Sequence, residues 1–273
     1  MIAFVGVFGG LIGSFLNVVI YRVPLGKSIV SPPSACGTCG HQIRWYDNIP
    51  LISWLVLRGR CRDCGAKISV RYPLVEVGSA VFFVIVAFKF VPAILMSDDG
   101  RTLTAAILTL VAFLYFAAIS LALALIDIDV HKLPNAIVLP SYAVGAVLLG
   151  GSALLAGNYS ALVTAGLGAA ALALLYFLLF FFIPGGMGFG DVKLAGGIGL
   201  FVGFLGWGPL VVGAFSAFVL GGIFSIILLV SRRAKRKTKV PFGPWMLGGA
   251  WVGILFGALL ASLYLTAFGL GAS

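Results

Sequence analysis

Residues 103–126 read LTAAILTLVAFLYFAAISLALALI, and none of these 24 side chains is charged. A helix of about 20 apolar residues is long enough to cross the roughly 30 Å hydrocarbon core of a bilayer. Asp127 follows the run directly. The stretch therefore predicts a membrane-spanning helix that carries an acidic side chain at one end.

The same pattern continues along the whole chain. Of its 273 residues, 61% are hydrophobic and 10% are charged, whereas soluble domains carry about 25% charged residues. This composition excludes a large soluble domain and predicts an all-α polytopic membrane protein with about eight transmembrane helices. The predicted spans are 2–21, 73–92, 103–126, 135–152, 161–183, 192–206, 209–230 and 245–267. The first is expected to be a retained span, because no basic residue precedes it as in a signal peptide.

The positive charges predict the orientation of these spans. If the segment 22–72 faces the cytosol, the loops 127–134 and 184–191 and the run RRAKRKTK at 232–239 face it too. Sixteen of the 18 Lys and Arg residues then lie on that side. The positive-inside rule is satisfied, and both termini lie outside. The net charge of +10 is thereby explained by membrane topology and contact with anionic lipid, and no nucleic-acid partner is expected.

Four cysteines occur in the polar segment 22–72, as two C-x-x-C pairs in CGTCGH and CRDCGA. Cytosolic thiols are reduced and available to a metal. Twenty-one residues separate the two pairs, close to the spacing of four-cysteine zinc sites. Glycines within and after the pairs permit tight turns in which backbone amides approach the sulfur atoms. The expected ligands of one zinc ion are Cys36, Cys39, Cys61 and Cys64.

This zinc is expected to be structural, because four thiolates leave no open position for water. The segment has few apolar anchors, so the metal would supply its fold as a small zinc-ribbon-like insertion. The predicted organisation is a first span at 1–21, the cytosolic zinc-binding segment at 22–72 and a transmembrane bundle at 73–273.

Acidic residues are scarce, and only four of the eight lie in or beside predicted spans. An ionisable group at such a depth is costly and indicates function. Glu76 lies one turn into the second span, where it either pairs with Arg71 or Arg22 or contacts a substrate. Asp127 and Asp129 end the third span, but on a helix their side chains point about 200° apart. Asp127 is predicted to face inward and Asp129 to be a loop acid or a helix cap.

The last of the four, Asp191, follows a glycine-rich bend in MGFGDVKL at 187–194. Taken alone, it could be a helix N-cap. A phosphate loop is disfavoured because Lys193 occupies the place of the third glycine in G-x-G-x-x-G. Two intervening spans bring Asp127 and Asp191 to the same membrane face, where they can meet if their spans are neighbours. Two carboxylates that share a proton are the arrangement of an aspartyl protease, and the glycines would admit an extended substrate backbone.

An ordered set of motifs resembles the type IV prepilin peptidases, which belong with the GxGD aspartyl proteases of membranes. The resemblance covers almost the whole chain. It rests on GSFLNVVIYRVP at 13–24, the two C-x-x-C pairs, NIPLISWLVLRGRC at 48–61, RYPLVE at 71–76, IDIDVHKLPN at 126–135, GMGFGDVKL at 186–194 and PFGP at 241–244.

The resemblance implies that Asp127 and Asp191 are the catalytic pair and that Gly188 and Gly190 form the G-x-G of the motif. It implies a bacterial inner-membrane enzyme that cuts a basic leader from type IV prepilins or pseudopilins at the cytosolic face. Many members then methylate the new N-terminus with S-adenosylmethionine, a role associated with the cysteine-bearing segment. No residues are identified as the methyl-donor site. Because the segment 22–72 is itself basic, recognition is expected to depend on the apolar substrate helix.

Two other classes of protein would account for part of the sequence. A proton-coupled transporter could use the same acids as a relay, but no inverted repeat with interrupted helices is visible in the sequence. An inactive zinc-ribbon scaffold accounts for the cysteines and leaves the paired acids without a role.

Overall fold

Long apolar helices make up most of the computed structural model, which describes residues 1–183, 187–231 and 240–269. The predicted basic anchor at 232–239 and part of the loop 184–191 lie outside these residues. In the described part, the chain forms α-helices and short 3₁₀ turns at Val23–Leu25 and Trp45–Asn48, with no β-strand. The α-helices are α1 (Ile2–Arg22), α2 (Ile52–Val56), α3 (Arg71–Leu95), α4 (Gly100–Val130), α5 (Asn135–Ala156), α6 (Tyr159–Phe182), α7 (Phe189–Gly203), α8 (Trp207–Val230) and α9 (Gly243–Ala267).

The all-helical membrane fold predicted from the sequence is confirmed. Within the described ranges, seven helices are long and apolar enough to cross a membrane. The predicted sixth span corresponds to α7, which is 15 residues long. At a rise of 1.5 Å per residue it is about 22 Å long, less than the hydrocarbon thickness. Helix α7 is therefore shorter than the other predicted spans and is not one of the seven helices long enough to cross a membrane.

The chain divides into two compact units. The first comprises residues 1–96 and 113–122, and the second comprises residues 97–112 and 123–273 as far as they are described. The predicted division into 1–21, 22–72 and 73–273 stays a prediction.

Helices α1 and α3 pack closely in the first unit because α1 presents glycines along one face. A Cβ atom on Gly9 would lie 2.7 Å from Phe83 Cβ, and one on Gly13 would lie 2.7 Å from Glu76 Cα. Small residues that let helix backbones approach are typical of helix contacts in membranes. The pairing of Gly9 with Phe83 and Gly13 with Glu76 shows that the two helices run antiparallel.

Glycine contacts also determine the packing of α7 in the second unit. A Cβ atom on Gly203 would overlap the Thr164 carbonyl oxygen of α6, and one on Gly168 would lie 2.8 Å from the Gly199 carbonyl oxygen. Helix α7 is therefore antiparallel to α6. It also contacts α5, α8 and α9, and most of its residues are buried. A short helix surrounded by longer ones needs little lipid contact of its own, which suits its length.

Candidate active site and cysteine cluster

Asp127 lies in the last turns of α4, where its side chain is buried at 5% exposure. Asp129, two residues later, is exposed and still within α4, so Asp127 is the acid of the two that faces the helix bundle. One carboxylate oxygen of Asp127, Oδ2, accepts a hydrogen bond from the Gly243 N–H at 3.0 Å. Gly243 is the first residue of α9, where backbone N–H groups have no partner within the helix. The start of α9 therefore holds the Asp127 carboxylate.

Asp191 is the third residue of α7 and not its N-cap, because the helix begins at Phe189. Its side chain is 9% exposed, and its Oδ2 accepts the N–H of the N-cap residue Gly188 at 2.8 Å. A carboxylate at this position is favoured by the positive end of the helix dipole. The glycine before the helix thus orients Asp191 in the same way that Gly243 orients Asp127.

The structure brings the two carboxylates together in the second unit. Asp127 lies close enough for its charge to act on Asp191. Leu133 occupies the space beside both acids: a Cβ atom on Gly190 would lie 3.2 Å from Leu133 Cβ, and one on Gly243 would lie 3.3 Å from Leu133 Cδ2. A small residue at position 190 therefore suits the packing of this site against Leu133.

Aromatic and polar side chains around the acids were not predicted from the sequence. Tyr176 of α6 is buried within electrostatic range of Asp191. Its ring packs against Phe218 and Phe242, with centroid distances of 5.7 and 6.2 Å. Phe242 precedes Gly243, so this aromatic group supports the helix start that binds Asp127.

The start of α7 is fastened by two further side chains. The Tyr142 hydroxyl donates to the Lys193 carbonyl oxygen at 2.5 Å, and Lys193 Nζ donates to Asn135 Oδ1 at 3.1 Å. Lys193 Nζ also lies 5.0 Å from the centroid of the Phe189 ring. The motif PFGP at 241–244 was the available signal for Phe242 and Gly243, whereas no local pattern marks Tyr142 or Tyr176.

The four cysteines converge in the first unit, and their ligand atoms lie within 4.8 Å of one another. The Cys36 and Cys64 Sγ atoms are 3.8 Å apart. Zinc–thiolate bonds of about 2.3 Å in a tetrahedron require an edge of about 3.8 Å, so this spacing fits one zinc ion. The cluster can hold a metal, and four thiolates would give it a structural role.

The two C-x-x-C pairs have the same backbone geometry. Gly40 and Gly65 both adopt a φ of 71°, a conformation that a side chain would disfavour. The Gly40 N–H donates to the Cys36 carbonyl oxygen and the Gly65 N–H to that of Cys61. Hydrogen bonds from the Cys39 and Thr38 amides lower the pKa of the Cys36 thiol to about 6. The turns therefore direct backbone amides at the sulfur atoms, as predicted. The positive φ occurs at Gly40 and Gly65, the glycines after the two pairs, and not at Gly37.

Two ion pairs connect the second cysteine pair to the preceding 3₁₀ turn. Arg62 Nη2 lies 2.6 Å from Asp47 Oδ1, and Arg44 Nη2 lies 3.0 Å from Asp63 Oδ1. Hydrogen bonding and charge from Arg62 lower the pKa of Asp47. Asp47 and Asp63 therefore stabilise the cysteine-bearing segment.

Glu76 is buried in the first unit on α3. Its Oε2 accepts the Leu51 N–H at 2.8 Å, and the Ser14 side chain also bonds to it. Arg22, one of its two predicted partners, donates to the Ser28 carbonyl oxygen. A substrate contact by Glu76 stays a prediction.

Two family models match this chain, one in its N-terminal part and one in its C-terminal part. Residues 7–90 match the model of the Bacterial Peptidase A24 N-terminal domain, and residues 114–226 match that of the Type IV leader peptidase family. The chain is 35% identical to the prepilin leader peptidase/N-methyltransferase of Pseudomonas putida, over 92% of this chain and 89% of that protein. The chain belongs to the type IV leader peptidase family.

Other members of the type IV leader peptidase family show similar coverage. Prepilin leader peptidase/N-methyltransferases of Aeromonas salmonicida and Pseudomonas aeruginosa are each 35% identical, over 95% and 94% of this chain and 92% and 91% of their own lengths. No solved structure matches the chain. The first family model includes the four cysteines and Glu76, and the second includes Asp127 and Asp191. This membership and the apolar helices identify a multi-pass membrane protease with methyltransferase relatives.

Proposed function

We propose that this chain is an aspartic endopeptidase that removes the leader peptide from type IV prepilins or pseudopilins. The observation that carries the proposal is the pair of buried carboxylates, Asp127 and Asp191, which come from separate helices and lie on either side of Leu133. The names of the relatives, which are prepilin leader peptidases, supply the substrate class.

The two acids have complementary roles in this proposal. Two neighbouring carboxylates do not both ionise easily, so one keeps a proton. The ionised one accepts a proton from water, whose oxygen attacks the scissile carbonyl carbon. The protonated one donates its proton to the carbonyl oxygen, and the resulting tetrahedral adduct collapses when the amine leaves with a proton. Hydrogen bonds from Gly243 and Gly188 fix the orientation of the two carboxylates. A fixed orientation towards the water and the scissile carbonyl lowers the entropic part of the barrier.

The glycines before Asp191 have a steric role. Gly188 is exposed, and a Cβ atom there would lie 3.6 Å from Asp191 Oδ2. The small residue leaves the approach to this carboxylate open for an extended peptide. Gly188 and Gly190 therefore act in access and packing and do not exchange protons.

N-methylation of the new N-terminus is the second proposed activity, with S-adenosylmethionine as the donor. It rests on the names of the relatives and on the presence of the cysteine-bearing segment. When bound, zinc would cross-link the two C-x-x-C turns and so stabilise the segment. Cys36, Cys39, Cys61 and Cys64 would hold it, and no residue is assigned to the methyl donor.

The proposed location is the bacterial inner membrane, with the cysteine cluster and both catalytic acids towards the cytosol and both termini outside. The distribution of Lys and Arg supports this orientation. The antiparallel packing of α7 on α6 is compatible with α7 as a short additional pass. Under this proposal, residues 73–273 form the protease bundle and residues 22–72 the metal-bearing insertion.

Processing of a purified prepilin tests the proposed function. The full-length protein in detergent, mixed with prepilin, should shorten it by the mass of the leader. Addition of S-adenosylmethionine should then increase the mass of the mature product by one methyl group. An unchanged prepilin mass with folded, metal-loaded protein would contradict the proposal and favour the transporter or scaffold alternatives.

A further inference from the structure

The segment between the two cysteine pairs extends deep along the membrane-spanning helices of the first unit. Pro50 Cβ lies 4.0 Å from the position of a Cβ atom on Gly10, in the middle of α1. The next residue, Leu51, donates its N–H to Glu76 of α3. These two contacts place Pro50 and Leu51 beside α1 and α3 rather than beyond their ends.

The helix ends give the depth of this contact. Tyr21 and Arg22 end α1, and Arg71 and Tyr72 begin α3. Tyrosines and basic residues at the ends of spans mark the membrane interface. With 21 residues, α1 is about 31 Å long, close to the hydrocarbon thickness, so little of it can project into water.

Gly10 is 11 residues from Tyr21, which corresponds to about 17 Å along α1. A Cβ atom on Gly10 is also 4.0 Å from Ala80 Cβ, and Ala80 is eight residues from Tyr72, or about 12 Å along α3. Half of the hydrocarbon core is about 15 Å thick. Pro50 therefore lies within the hydrocarbon depth by either measure.

The surface of the segment suits that depth. On α2, Ile52, Leu55 and Val56 are 58%, 66% and 70% exposed. In water, these side chains would form an uncovered apolar face on a five-residue helix. At this estimated depth, lipid acyl chains would cover them, as they would cover the exposed apolar side chains of α1 and α3.

The hydrogen bonds of the segment also suit an apolar environment, where an unpaired backbone group is costly. Ser53 accepts the Ile49 N–H through its hydroxyl, which donates to the Tyr46 carbonyl oxygen. Glu76 accepts the N–H of Leu51, whose φ is 62°. The Ile52 N–H donates to the Pro50 carbonyl oxygen. The Ser53 and Glu76 side chains thus satisfy the N–H groups of Ile49 and Leu51, and a backbone carbonyl satisfies that of Ile52.

We propose that residues 49–56 form a re-entrant membrane element whose Ile52, Leu55 and Val56 face contacts lipid acyl chains. Glu76 is then the residue that anchors this element to α3. The element is continuous with the second cysteine pair: Trp54 Nε1 donates to the Ile68 carbonyl oxygen, and the Trp54 ring packs under Gly59. It therefore fixes the cysteine cluster against the membrane surface.

Depth-dependent fluorescence quenching tests this placement in the full-length protein. An encoded dansylalanine replaces Leu55, Phe88 or Thr38 in three separate variants reconstituted into vesicles. Phe88 is an exposed side chain of α3, about 24 Å along the helix from Tyr72 and so still within the hydrocarbon core. Thr38 is exposed between the first two cysteines. Lipids with brominated acyl chains quench from the bilayer, and iodide quenches from water.

The proposal predicts that the probe at position 55 behaves like the probe at position 88, with strong quenching by brominated lipid and little by iodide. The probe at position 38 should show the reverse. Quenching of position 55 by iodide at the level of position 38 would overturn the proposal. Protection of position 55 from both quenchers would also overturn it, because another protein surface would then cover the face. Thermal unfolding of each reconstituted variant shows whether the protein is folded, and this readout does not depend on the proposed function.

Discussion

A methyl group at Gly243 should slow catalysis at the candidate active site without unfolding the protein. In Gly243→Ala, the new Cβ atom would lie 2.7 Å from Asp127 Oδ2, whereas ordinary contacts begin at 3.4 Å. Leu133 Cδ2, at 3.3 Å, limits movement on the other side. The carboxylate of Asp127 must therefore rotate away and lose its 3.0 Å hydrogen bond from the Gly243 N–H.

The size of this effect follows from the lost interaction. A hydrogen bond to a charged group contributes about 1.5–3 kcal/mol, and a displacement of about 1 Å in a catalytic group can cost about 100-fold in rate. We expect kcat/KM for prepilin cleavage to fall by about 10- to 100-fold.

The matched control is Gly248→Ala on the same helix. There, a Cβ atom would meet only Leu220 Cδ1, at an ordinary 3.5 Å. The assay measures initial rates of leader release by mass spectrometry, with thermal unfolding of both variants. Equal rates for Gly243→Ala and Gly248→Ala would refute the proposed role of the α9 start in holding Asp127.

Two further predictions concern the parts of the chain outside the acid pair. The double variant Cys36→Ser, Cys61→Ser should no longer bind one zinc ion, as measured by elemental analysis. It should lose more methylation activity and thermal stability than cleavage activity. Full zinc content in the double variant would contradict the ligand assignment. Asp99 caps α4, and bonds from the Thr102 and Arg101 amides lower its pKa. A lowered folded-state pKa adds stability above the ordinary value of about 3.9 that disappears as the pH falls through the folded-state value. The difference in Tm between wild type and Asp99→Ala should therefore be constant at neutral pH and shrink in acid. The control Asp98→Ala removes the adjacent charge and leaves the cap, so its Tm at neutral pH should stay near that of the wild type. A Tm difference for Asp99→Ala that is independent of pH would contradict the cap assignment.

The membrane helices could be predicted from the sequence because their signal is local. Apolar runs such as 103–126 need only composition and length to indicate a span. The clustering of four thiols was likewise indicated by spacing alone. The start of α7 could not be predicted as well, because the glycines before Asp191 suit both a bend and a first helical turn. The predicted span begins at residue 192, whereas the helix in the structure begins at Phe189.

Contacts between distant parts of the chain could not be predicted in this way. Gly243 is 116 residues from Asp127, and no periodic pattern reports which helix start faces which acid. The hydrogen bond from Leu51 to Glu76 joins a loop to a helix. From the sequence alone, the predicted partner of Glu76 was therefore an arginine or a substrate. Tyr176 was not singled out because an aromatic residue in an apolar run is indistinguishable from core packing.

The most direct test of the central claim compares single Asp-to-Asn variants in the prepilin cleavage assay. Asp127→Asn and Asp191→Asn each keep the volume of the side chain but remove its ability to ionise. Asp129→Asn is the matched control, because Asp129 is exposed on the same helix. We predict no detectable leader release by the first two variants, with zinc content and Tm near those of the wild type, and substantial release by the third. Wild-type cleavage by either Asp127→Asn or Asp191→Asn would contradict the account.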